Sequence, residues 1–113
     1  MNLLACDLGG TKVLIGIYKN NFESKEPPNI ICKKKYLSKD WESFYSILDD
    51  FIRTKCININ FPKTACFAVA GALSNNSAKI TNLNWEINIK DLKDKYSFQQ
   101  IELINDFSVQ IYG

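Results

Sequence analysis

Apolar residues recur along this chain with a spacing that changes from one segment to the next, and the changes mark its elements. Residues 3–18, LLACDLGGTKVLIGIY, hold two runs rich in Leu, Ile and Val on either side of Gly9-Gly10. That spacing predicts strand, tight turn, strand. Residues 19–29, KNNFESKEPPN, are polar and carry Pro27-Pro28, which predicts a loop. Residues 30–37, IICKKKYL, return to β-prone types, and their lysines predict an exposed or edge position. The first three strands are then consecutive and antiparallel.

A helical period follows. Trp41, Phe44, Tyr45, Leu48 and Ile52 fall on one helical face, which predicts a helix packed on the sheet. Asp40 is the expected N-cap, and Glu42, Asp49 and Asp50 occupy the wet side. Residues 57–63 form a connection. Residues 64–71, TACFAVAG, are a continuous apolar run that predicts a central strand buried on both faces. Its small last residues, Ala70 and Gly71, leave room at the carboxyl end, where open α/β sheets place their ligands. Residues 73–78 read as a turn and 79–83 as a short strand. Ile87, Leu92 and Tyr96 fit a short helix capped by Asn88. Residues 101–104, IELI, predict one more strand, after which Asn105-Asp106 opens a helix of about two turns that stops at Gly113. A helix that ends in mid-pattern is the expected mark of a shortened polypeptide. The order predicts a mixed sheet with helices on its faces, so the fold class is α/β.

Composition narrows the classes. The chain has 113 residues, enough for one domain with a core, and 46% hydrophobic with 23% charged residues is a globular balance. A net charge of +2 gives no argument for a nucleic acid or a membrane surface as partner. Lys33, Lys34 and Lys35 form the only basic run, which reads as a solvated strand end. Cys6, Cys32, Cys56 and Cys66 lie far apart in apolar runs, and the chain has no histidine to complete a zinc site. They read as small buried thiols in a reducing, cytoplasmic setting. No apolar run approaches the ~20 residues of a membrane span. Met1-Asn2 runs straight into a strand, so no signal peptide is expected.

Two clusters carry candidate chemistry. Successive amides in the Gly9-Gly10 turn can form a nest for an anion, with the Thr11 hydroxyl and Lys12 ammonium as further donors. Asp7 beside a phosphate would repel it unless a cation stood between them, which suggests Mg²⁺ held through water. The plainer reading is an ordinary hairpin corner. Asn105 and Asp106 stand where a strand ends and a helix begins. Both types cap helices; alternatively, Asp106 accepts the proton of an attacking hydroxyl while Asn105 fixes a neighbouring one. An ordinary Asp, with a pKa of about 3.9, suffices in phosphoryl transfer because positioning and charge stabilisation carry most of the barrier reduction.

DLGGTK, residues 7–12, resembles the first phosphate motif of the sugar kinase, actin and heat-shock chaperone superfamily. TNLNWEINIKDL, residues 81–92, is similar to the TNxxWxI segment of bacterial glucokinases, and LINDFSVQIYG, residues 103–113, to their LINDFxAxxYG segment. With the AVAG strand end, residues 68–71, these segments match in order over nearly the whole chain. The chain thus resembles the bacterial hexokinase-like glucokinases.

That resemblance implies a ribonuclease-H-like, actin-like ATPase small domain, spanning 1–113, of a cytoplasmic glycolytic transferase that phosphorylates glucose from ATP and Mg²⁺. It implies that Cys6, Asp7, Leu8, Gly9, Gly10 and Thr11 line the ATP phosphates. Asn105 and Asp106 would bind glucose hydroxyls, with Asp106 as catalytic base. Thr81, Asn82 and Trp85 would shape the segment leading to the sugar; Asn82 would touch it, unless it only forms a turn, and Trp85 reads as a packing anchor. The family pattern has proline where this chain has Ala72. A larger carboxyl-terminal domain, with a second phosphate motif and a histidine, is the expected missing partner, and without it the chain is expected to be inactive. Exposing the face that meets it can by itself drive self-association into a homo-oligomer. Other readings are a kinase for mannose, fructose or an N-acetylated hexosamine, as in the related repressor-and-kinase group, and a non-catalytic sensing or oligomerisation module. Against the former, no DNA-binding segment precedes the first strand.

Overall fold

The computed structural model describes residues 2–19, 29–80 and 83–105. Alternation in β1 (Asn2–Leu8) and β2 (Lys12–Lys19) turns Leu4, Cys6, Leu8, Val13, Ile15 and Ile17 to one face, where all are buried. β3 (Asn29–Leu37) pairs with β2, and the three strands are consecutive and antiparallel, as their patterns predict. Helix α1 (Phe44–Lys55) follows and lays Phe44, Ile47, Leu48 and Phe51 on that face. β4 (Thr64–Val69) then runs parallel to β1.

A second, antiparallel sheet of β5 (Gly71–Leu73), β6 (Ser77–Ile80) and β7 (Glu86–Asn88) comes next. Helix α2 (Ile89–Tyr96) is capped by Asn88, whose side-chain oxygen accepts from the Lys90 amide at 2.8 Å and the Asp91 amide at 3.3 Å. β8 (Gln100–Asn105) closes the main sheet, whose order is β3-β2-β1-β4-β8, with β1, β4 and β8 parallel. The basic strand β3 is therefore an edge. Phe67 of β4 centres the core, edge-on to Phe44 at 5.7 Å and to Phe98 at 6.3 Å.

Several expectations are corrected. Asp40 does not cap α1. It ends a 3₁₀ turn, Ser38–Asp40, and Ser43 caps the helix three residues later through reciprocal bonds with Ser46 of 3.2 Å each. Trp41 therefore precedes the helix, packed edge-on to Tyr36 at 5.4 Å. Asp50 is not on the wet side: it is buried, and it accepts from Tyr36, Lys34 and Arg53. The TACFAVAG run is not one strand. It bends at Ala70, and Gly71 begins the second sheet. The turn expected at 73–78 contracts to 74–76, and the strand expected at 79–83 lies at Ser77–Ile80.

Only one face of β4 is fully packed. Ala65, Phe67 and Val69 are buried, whereas Thr64 and Cys66 on the other face are half-buried. Of the free thiols, only Cys6 is buried; Cys32, Cys56 and Cys66 are partly exposed. Among the described residues, no helix is long and apolar enough to cross a membrane. The expected loop at 20–28, Thr81, Asn82, Asp106 and the expected last helix lie outside the described residues.

Candidate functional site

The corner between β1 and β2 is closed by the Gly9 amide, which donates to the Lys12 carbonyl at 2.9 Å. Neither Gly9 nor Gly10 adopts a positive φ. Close approach is what favours glycine at position 9, where a Cβ would stand 3.2 Å from the Lys12 carbonyl oxygen. Two neighbours brace the corner from outside the hairpin. The Ser38 amide donates to the Thr11 carbonyl at 3.0 Å, and the Ala70 amide donates to the Leu8 carbonyl at 3.0 Å. Neither brace was read from the sequence. A small polar residue immediately after β3, one position beyond the Lys12–Leu37 pair, was the available signal for Ser38.

The nest is narrower than expected, because the Gly9 amide is used inside the hairpin. Among the described residues, no hydrogen bond engages the Gly10 or Thr11 amide, which leaves these two as the corner's unused backbone donors. Thr11 and Lys12 are exposed. Cys6 and Leu8 turn their side chains into the core, so only their backbone can meet a ligand. Burial first, then the neighbouring Cys66, pushes the Cys6 thiol up and keeps it neutral. Asp7 points to the opposite face, between Leu14 of β2 and Ala68 of β4 in register. It lines an open groove of about 660 Å³, whose other walls include Lys33, Lys35, Cys66 and Ile104. No three potential metal ligands gather anywhere among the described residues. A single exposed carboxylate fits a cation that arrives on a phosphate and is touched through water; it does not fit a resident metal.

Asn105 ends β8 and pairs with Val69, which in turn pairs with Leu8, the last residue before the glycine corner. The corner and Asn105 thus share the carboxyl end of the parallel strands, two strand spacings or about 10 Å apart. The Asn105 side-chain amide donates to the Gly71 carbonyl at 3.2 Å, tying the main sheet to the first residue of the second. Trp85 is buried, and its carbonyl accepts from the Ile80 amide at 3.0 Å, so it anchors the segment between β6 and β7. Of the predicted sugar residues, Asn82 and Asp106 lie outside the described residues.

The strand order, the antiparallel opening and the glycine corner beside the carboxyl ends of β1, β4 and β8 define a ribonuclease-H-like fold of the kind shared by actin-like ATPases and sugar kinases. Within it, a sequence model described as Glucokinase matches residues 4–113, and the chain belongs to the glucokinase family. It is 34% identical over 111 residues to a glucokinase of Nostoc punctiforme, covering 98% of this chain and 31% of that protein. A glucokinase of Nostoc sp. PCC 7120 is 38% identical, with 98% and 32% covered. Among solved structures, a glucokinase from an Antarctic psychrotroph superposes with a TM-score of 0.83 at 30% identity, over 94% of this chain and 32% of that one. A glucokinase from Balamuthia mandrillaris in complex with glucose, 19% identical with a TM-score of 0.55, shares the fold. The chain spans about a third of the length of the curated relatives it matches.

Proposed function

We propose that the longer protein carrying this chain transfers the γ-phosphoryl group of ATP to the 6-hydroxyl of glucose, and that residues 1–113 form its amino-terminal small domain. The observation that carries this reading is the shared sheet end, with the glycine corner and Asn105 two strands apart. Cys6, Asp7, Leu8, Gly9, Gly10 and Thr11 line the phosphates, Cys6 and Leu8 by backbone alone. Asp106 accepts the proton as the sugar oxygen bonds to the γ-phosphorus and ADP leaves, while Asn105 and Asn82 hold sugar hydroxyls. Asp7 would hold, through water, a Mg²⁺ carried by ATP, which would supply neutralisation of the phosphate charge.

The unpaired thiols suit a reducing, cytoplasmic compartment. The remainder of the protein supplies the opposite wall of the cleft, the water exclusion and the adenosine contacts, so the isolated chain is inactive. A coupled assay of ADP release by the full-length protein, ranked by kcat/KM over a hexose panel, tests the reading. Glucose ranks first, and Asp106→Asn lowers kcat about a hundredfold or more. A preference for mannose, fructose or an N-acetylated hexosamine would reassign the sugar. Binding without turnover of any sugar would make the protein a sensor.

A further inference from the structure

The glycine corner owns one hydrogen bond, from Gly9 to Lys12, and its other fastenings come from neighbouring elements. Ser38, immediately after β3, is 1% exposed, and with Asp50 it is one of two buried polar side chains among the described residues. Each of its polar groups is engaged. Its amide donates to the Thr11 carbonyl at 3.0 Å, its hydroxyl donates to the Gly9 carbonyl at 3.5 Å, and its carbonyl accepts from the Trp41 amide at 3.2 Å. Ser38 thus grips the corner on both sides of Gly10. Burying a hydroxyl costs its hydration, and its partner here is the Gly9 carbonyl, at the long end of hydrogen-bond range.

The consequence follows from peptide geometry. In a planar trans peptide the C=O of one residue and the N–H of the next point in opposite directions. Drawing the Gly9 carbonyl inward toward Ser38 therefore turns the Gly10 N–H outward, away from the fold. We propose that Ser38 is a positioning residue for ATP, aiming the Gly10 amide at the phosphates. This rests on the reading of the corner as the phosphate site.

The test uses the full-length protein with Ser38→Ala and Ser38→Thr. Steady-state KM values for ATP and for glucose, kcat and the thermal midpoint are measured, together with the calorimetric Kd of ATP. Ser38→Ala is expected to raise the KM and the Kd for ATP about fivefold, with the KM for glucose within about twofold. Ser38→Thr, which keeps the hydroxyl, restores both. An active enzyme whose KM and Kd for ATP ignore Ser38→Ala overturns the role of Ser38 alone. Equal rises in both KM values with a fallen midpoint and no rescue by threonine make Ser38 a fold residue only, which also overturns it. Wild-type protein that neither binds ATP nor turns over glucose overturns the kinase reading, and the role toward ATP with it.

Discussion

The Tyr36 hydroxyl donates to the Asp50 carboxylate at 2.7 Å, joining the edge strand β3 to the centre of α1. Lys34 at 3.1 Å and Arg53 at 2.8 Å complete the carboxylate's shell, but both are substantially exposed and contribute little on their own. The buried phenol is the stronger partner. Tyr36→Phe is expected to cost about 2 kcal/mol in urea unfolding, typical of a lost hydrogen bond to a charged group.

A pH dependence follows from the same pair. The Tyr36 hydrogen bond, opposed by burial and aided by Lys34 and Arg53, holds the Asp50 carboxyl below its ordinary range. A carboxyl lowered in the folded state contributes stability that is present above its unfolded value of about 3.9 and is lost as pH falls through the folded one. The urea midpoint is expected to fall below about pH 4, and less steeply in Asp50→Asn. An identical acid profile for the variant would dissociate Asp50 from this loss.

Helix capping separates sequence expectation from structure. Ser43→Ala is expected to destabilise the fold by about 1 kcal/mol. Asp40→Ala, at an exposed residue of the 3₁₀ turn, should leave unfolding unchanged; a comparable loss there would restore Asp40 as the cap.

Much of the fold was legible. Gly9-Gly10 between two apolar runs marks a hairpin, Asn88 marks the start of α2, and the β4 and β8 cores carry enough Ile, Leu, Val and Phe to declare themselves. What failed depends on contacts between distant residues. Asp50 looks solvated until Tyr36 and Lys34 arrive from a strand fourteen and sixteen positions earlier. The helix starts late because the Ser38 amide is held by Thr11, diverting the chain through a 3₁₀ turn. Strands β5 and β7 have three residues each, too few for an alternating pattern to emerge. At the site, the glycine corner and Asn105 were legible by residue type, whereas the contacts of Ser38 and of the Ala70 amide with the corner depend on how distant segments meet, which no motif encodes.

Asn105 couples the two sheets, and in the proposed function it also holds a sugar hydroxyl. Asn105→Asp keeps the shape but replaces the N–H donor with a second acceptor opposite the Gly71 carbonyl. Loss of about 1–3 kcal/mol in unfolding and a rise in the KM for glucose are expected together. A raised KM with unchanged unfolding would confine Asn105 to the ligand.

The central claim is that phosphate and sugar meet at one end of the main sheet. A crystal structure of the full-length protein with glucose and a non-hydrolysable ATP analogue tests it most directly. The expected result places phosphate oxygens about 3 Å from the Gly10 and Thr11 amides and the sugar against Asn105 and Asp106. Phosphates bound away from the corner, or sugar at the opposite end near Asn2 and Gln99, would contradict it.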